Sequence, residues 1–153
     1  MDLVTLLETH ADEILAHATD AMGRLPLTRY ERADSHEKRE WLRTLHALVL
    51  EAIKTRDLSN LIAHEQRVAR DRHAGGYNLI EVQMVCNVLE DAMWGVVAKN
   101  SSAQQLAESL GLVHTALRAA KDALSFTYAA LATKTHVMIT VAMRDLFKGT
   151  QGF

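Results

Sequence analysis

The stretch Arg70-Asp71-Arg72-His73-Ala74-Gly75-Gly76-Tyr77-Asn78-Leu79-Ile80-Glu81 joins a charged segment to an apolar one across two adjacent glycines. A phosphate-cradling loop there would need the spaced glycines and Lys-Ser/Thr pair of a P-loop, or a dinucleotide fingerprint following a strand. Neither is present. Glycine past the last periodic residue is a common left-handed helix end. Asn78 with Glu81 three residues on has the spacing of a reciprocal helix cap. The stretch therefore predicts a helix–loop–helix corner in which His73, Gly75 and Gly76 serve structure rather than catalysis.

Outward from this corner, apolar residues recur at steps of three and four on both sides. A first helix is predicted from a cap at Asp2 to about Met22, with Leu3, Leu6, Leu7, Ile14, Leu15, Ala18 and Met22 on one face. Gly23 to Ala33 contains Pro26, the chain's one proline, and reads as a connection. Ser35 is positioned to cap a second helix to about Ile53, with Trp41, Leu42, Leu45, Leu48, Val49 and Ala52 inward. Asp57 or Ser59 starts a third, carrying Leu58, Leu61, Ile62, Val68 and Ala69 and ending at Gly75. The fourth begins at Asn78 with the stripe Ile80, Met84, Val85, Val88, Leu89, Ala92 and Val96. Ser102, with Gln105 three residues on, opens a fifth. From Ser102 to Phe147 only Gly111 interrupts the helix formers, and a continuous helix would run about 69 Å. Such a helix either breaks near Thr133-Lys134-Thr135 or leaves its bundle to meet a partner. The expected fold is all-α: a bundle of about five helices, globin-like or four-helix-bundle-like, with a long C-terminal helix. The expected division is one helical domain over residues 1–134, with 135–153 continuing the last helix into a tail.

Composition bounds the function. The chain has 153 residues, 48% of them hydrophobic and 24% charged, the profile of an ordinary globular domain. Its net charge of −2 gives no bias toward nucleic acid. Cys86 is the lone cysteine, so no disulfide framework exists and a reducing compartment is expected. No basic leader and no run of about 18 apolar residues occurs, which predicts a cytoplasmic protein without a membrane span.

Chemistry-bearing motifs are sparse. The eight histidines are His10, His17, His36, His46, His64, His73, His114 and His136. His64-Glu65 lacks the second histidine of a zincin helix, because Val68 stands four residues after His64. No Glu-x-x-His occurs, which removes the usual di-iron bundle signature. His10 and His17 share a helix face, but two ligands do not make a site. Cys86, between Val85 and Val88, reads as a buried small hydrophobe. Met93 and Trp94 read as core rather than a cofactor box, and Met84, Met93, Met138 and Met143 as at most an adaptable groove. No catalytic residue and no metal ligand is assigned, no cofactor is expected, cofactor-binding residues stay unknown, and the expectation is a non-enzyme.

The order of features resembles the N-terminal helical domain of RsbRD-type co-antagonists, found also ahead of some bacterial histidine kinases and transcription regulators. The matching residues are Leu6-Leu7-Glu8 and Glu13-Ile14-Leu15, the run Ile62 to Arg72, the run Gly75 to Val82, Ala92-Met93-Trp94, and Tyr128-Ala129-Ala130-Leu131. The likeness spans Leu3 to Lys134. It implies a sensory input domain of the stress-response type that passes a signal to an output module through its last helix. No sulfate-transporter/anti-sigma-type, kinase or DNA-binding module follows Lys134, so the output module is expected downstream in a longer protein or on a separate chain.

A homodimer through the long helix is expected, because Leu131, Val137, Met138, Ile139, Val141, Met143 and Leu146 keep it apolar. The alternative function is a haem- or other tetrapyrrole-binding globin-like sensor, although 5% aromatic residues leaves few rings to line such a pocket. A helical enzyme would instead need polar residues converging in a pocket.

Overall fold

A computed structural model describes residues 1–25 and 33–133. Its Asp71–Glu81 corner is built by two backbone devices. Helix α4 (Ser59–Ala74) ends as Gly76 N–H donates to the His73 carbonyl and Tyr77 N–H to the Arg72 carbonyl, both near 3 Å. Those two closing bonds require a left-handed residue, and Gly76 supplies it with φ 82°. Helix α5 (Leu79–Asn100) then starts on the reciprocal cap: Glu81 N–H donates to Asn78 Oδ1 at 2.9 Å, and Asn78 N–H to Glu81 Oε1 at 3.4 Å.

Four more helices complete the described residues: α1 (Leu3–Thr9), α2 (Ala11–Arg24), α3 (Ser35–Thr55) and α6 (Ala103–Thr133), with no strand among them. The all-α bundle and its long last helix are as expected. At 31 residues, α6 spans about 46 Å. It lies along α4 and α5, and α2 lies along α5 and α3. Leu7, Ile14, Leu42, Leu61, Leu89, Met93, Leu117 and Leu124 are fully buried between them. Each such side chain contributes about 1.5–3 kcal/mol relative to exposure.

The structure departs from the sequence reading in four places. The first predicted helix is two, because His10 (φ −99°, ψ 18°) turns the chain between α1 and α2. Leu6 and Leu7 before the bend and Ile14 and Leu15 after it keep one heptad phase, so periodicity does not reveal the bend. The cap of α3 is Asp34, whose carboxylate accepts from Glu37 N–H at 2.8 Å, and not Ser35. Ile80 is 66% exposed, although it fits the α5 stripe. Helix α5 is central and buries several faces, with Val82, Cys86, Met93 and Val97 inside as well as Val88 and Leu89, so a single stripe describes it poorly. Trp94 is 38% exposed rather than core, and its ring lies 6.4 Å from that of His114. The predicted extension beyond Thr133, with the 135–153 segment, Met138 and Met143, falls outside the described residues.

Among the described residues no helix is long and apolar enough to cross a membrane.

Candidate functional site

Helix α4 carries two charged residues in its inward register. The apolar positions Leu58, Leu61, Ile62, Val68 and Ala69 step by three and four, and Glu65 and Arg72 occupy the positions that continue the series. Both face a cavity of about 310 Å³ walled by α3, α4 and α5. From α3 come Trp41, Thr44 and Leu45, and from α4 come His64, Glu65, Arg67, Val68, Asp71 and Arg72. Val82, Val85 and Cys86 of α5 close the apolar side. The volume lies at the lower end of the range for small-molecule sites.

Glu65 is 4% exposed, and no described residue hydrogen-bonds to its carboxyl group. Burial pushes that group up to about 7, against the opposing pull of the Arg72 charge. His64 Nε2 lies 4.0 Å from Glu65 Oε1, which is within reach of an ion pair. Burial, followed by the Arg67 and Arg72 charges, lowers the His64 imidazole. Both shifts favour neutral forms, so the separation describes two neighbouring groups of which Glu65 takes the proton first. An ion pair here would set two charges in an apolar wall for one long contact.

Arg72 is held as a plane. Its guanidinium carbon sits 4.6 Å from the Trp41 ring centroid and 5.5 Å from that of Tyr77. Nη1 donates to Asp71 Oδ2 at 2.6 Å, but Asp71 is 75% exposed and the bond is a surface one. Arg72 Nε is buried without an acceptor. The cavity thus presents a carboxyl group without a described donor, and the polar atom of its lining that is buried and unpaired is Arg72 Nε. Unpaired buried polar atoms are rare because each costs about 1–3 kcal/mol.

The corner is tied to α6. Tyr128 Oη donates to the Tyr77 carbonyl at 2.8 Å, and the His73 ring meets the Tyr128 ring edge-on at 5.2 Å. Burial raises the Tyr128 hydroxyl, which keeps it a donor. Further along, Gln83 Nε2 donates to the Lys121 carbonyl (3.1 Å) and to Ser125 Oγ (2.7 Å). Lys121 Nζ donates to Asn87 Oδ1 (3.1 Å) and lies 3.8 Å from Glu90, which also holds His114 Nδ1 at 3.1 Å. This ladder fixes the register of α6 on α5.

The histidines stay apart. His10 pairs with Glu13 at 3.0 Å, and His46 is buried with Nε2 unpartnered, its imidazole lowered by burial. His136 is outside the described residues. Among those described, no three His, Cys, Asp or Glu side chains gather as a metal site. Cys86 is buried as expected, and burial raises its thiol well above the ordinary range, so it is no nucleophile near neutrality. The His73 ring packs edge-on against Tyr128. Sequence reasoning missed Glu65 and Arg72, and the available signal was a charge at two positions of an otherwise apolar register. Compared with known proteins, the chain matches no family model, no curated protein and no solved structure.

Proposed function

We propose that this chain is a cytoplasmic signal-input domain and not an enzyme: a small molecule enters the α3–α4–α5 cavity, and α6 carries the response to an output module. The observation that supports this most is a continuous side-chain path. Glu65 and Arg72 line the cavity, Arg72 lies over Tyr77, and the Tyr77 carbonyl holds Tyr128 on α6. A ligand that favours one arrangement of the corner therefore acts directly on an α6 contact, by the difference in its affinity for the two arrangements. The resemblance of Ile62–Arg72 and Gly75–Val82 to RsbRD-type co-antagonists supports the same reading and adds bacterial stress signalling to it. A symmetric dimer would let the paired last helices deliver the response together.

The path is tested with two reporters in one protein. Trp94→Phe leaves Trp41 as the single tryptophan at the cavity. Ala132→Cys gives an exposed thiol near the end of α6, labelled selectively because Cys86 is buried. Panels of water-soluble metabolites should yield a compound that changes both signals, and Tyr128→Phe should keep the Trp41 response while weakening that of the α6 label. A label that stays silent when Trp41 responds would sink the reading.

A further inference from the structure

The cavity's unpaired groups are complementary to a particular class of small molecule. Glu65 presents a carboxyl group that lacks a donor, and an ammonium group supplies both the hydrogen bond and the opposite charge. Arg72 presents a guanidinium to the cavity whose one described carboxylate partner is exposed, and a ligand carboxylate supplies an opposite charge from within. Leu45, Val82, Val85 and Cys86 offer only hydrocarbon and sulfur to the remainder of a ligand. With His64 neutral and Glu65 ionised, the lining carries two negative groups (Glu65, Asp71) and two positive ones (Arg67, Arg72). A ligand without net charge preserves that balance, whereas a bare amine or a bare acid breaks it. The volume equals that of about ten water molecules at roughly 30 Å³ each, which suits a compact molecule.

We propose that the cavity binds a small zwitterion, an amino acid with an apolar body, its ammonium on Glu65, its carboxylate on Arg72 and its hydrocarbon against Val82 and Val85. This rests on the reading of the cavity as the input site and names what enters it. Glu65 and Arg72 stand two helical turns apart on α4, so the same chemistry is available from an α-amino acid or from one with its charges further separated. The proton on Glu65 must leave for the ammonium to pair with it, so binding releases a proton and tightens as pH rises through neutrality. The titratable groups that face Glu65 in the cavity are His64, Arg67, Asp71 and Arg72 of α4 and Cys86 of α5, and α3 adds none. Of these, burial lowers the His64 imidazole and raises the Cys86 thiol, so both are neutral in that interval.

The test is isothermal titration of the full chain at about pH 7, where the Glu65 carboxyl group still holds a proton in about half of the molecules, with free L-leucine, ε-aminocaproate, isoamylamine and isocaproate as the four probes. One of the two zwitterions should bind, and the single-charge analogues should bind at least about tenfold more weakly, the loss that one charged hydrogen bond represents. Glu65→Gln and Arg72→Lys should each weaken the zwitterion by a similar factor, with melting curves recorded to show that both variants fold. Proton release, read as a dependence of the heat on buffer ionisation enthalpy, should vanish in Glu65→Gln. A single-charge analogue that binds as tightly as either zwitterion overturns the inference, as does binding by none of the four. If such an analogue also moves the α6 label, the input reading stands without the zwitterion. A zwitterion that binds and leaves that label unmoved gives the reverse.

Discussion

The Tyr128 hydroxyl and the Tyr77 carbonyl meet at 2.8 Å, fifty-one residues apart in sequence, and fasten the α4–α5 corner to the long last helix. Tyr128 is largely buried, so the bond exchanges little with water. Tyr128→Phe removes the donor and keeps the ring against His73. The expected cost is about 1 kcal/mol, with the Tyr77 carbonyl left unsatisfied. Urea unfolding measures it, and an unchanged midpoint would mean that the bond does not hold the corner.

The two glycines of the corner are expected to respond differently. Gly76 has φ 82°, where a side chain is strained, so Gly76→Ala should cost about 1 kcal/mol. Gly75 is at φ −79°, and a Cβ there would rest 3.4 Å from the Tyr77 ring in ordinary contact. Gly75→Ala should stay within about 0.5 kcal/mol of the parent. Equal losses of melting temperature at both positions would contradict this.

Which parts of this architecture can be read from the chain depends on whether the signal is local. The Asn78–Glu81 cap, the Asp2 cap and the glycine end of α4 are written within four residues, and each is found where expected. The His10 bend changes two backbone angles without changing the apolar phase, so only tertiary packing discloses it. Ile80 and Trp94 are exposed because α5 lies in the middle of the bundle, and one helix's stripe does not tell how many neighbours surround it. Glu65 was legible as an oddity, a carboxylate at an inward position beside His64. Its meaning required α3 and α5, since Trp41 and Cys86 stand 24 and 21 residues away in sequence.

Self-association should depend on the chain past Leu131. The sequence there carries Val137, Met138, Ile139, Val141, Met143 and Leu146, enough apolar surface to be costly in water at roughly 25 cal/mol per Å². The full chain is expected to sediment as a dimer and a chain truncated after Leu131 as a monomer that still unfolds cooperatively as a helical bundle. A full-length monomer, or a dimer indifferent to the truncation, would remove the last helix from the proposed signalling route.

Glu65 also gives the fold a characteristic pH dependence. Its carboxyl group goes from an ordinary 4.5 to about 7 on folding, so between those values the folded chain keeps a proton that the unfolded chain has lost. Stability from this group is therefore fully present below pH 4.5 and is lost as pH rises toward 7, a change of about 3 kcal/mol if the whole shift is realised. His64 and His46 act in the opposite sense. Their imidazoles are lowered by burial, so their contribution is present above 6.5 and is lost as pH falls. A single stability curve mixes the two, but the difference between the parent and Glu65→Gln does not, because the amide keeps the shape and removes the titration. The variant should gain on the parent steadily from about pH 5 to about pH 7 and run parallel to it above that. Urea midpoints at half-unit pH intervals would show it. A difference curve that is flat across the interval would mean that Glu65 is already paired in solution, and a curve that falls would mean that it is held ionised by a partner.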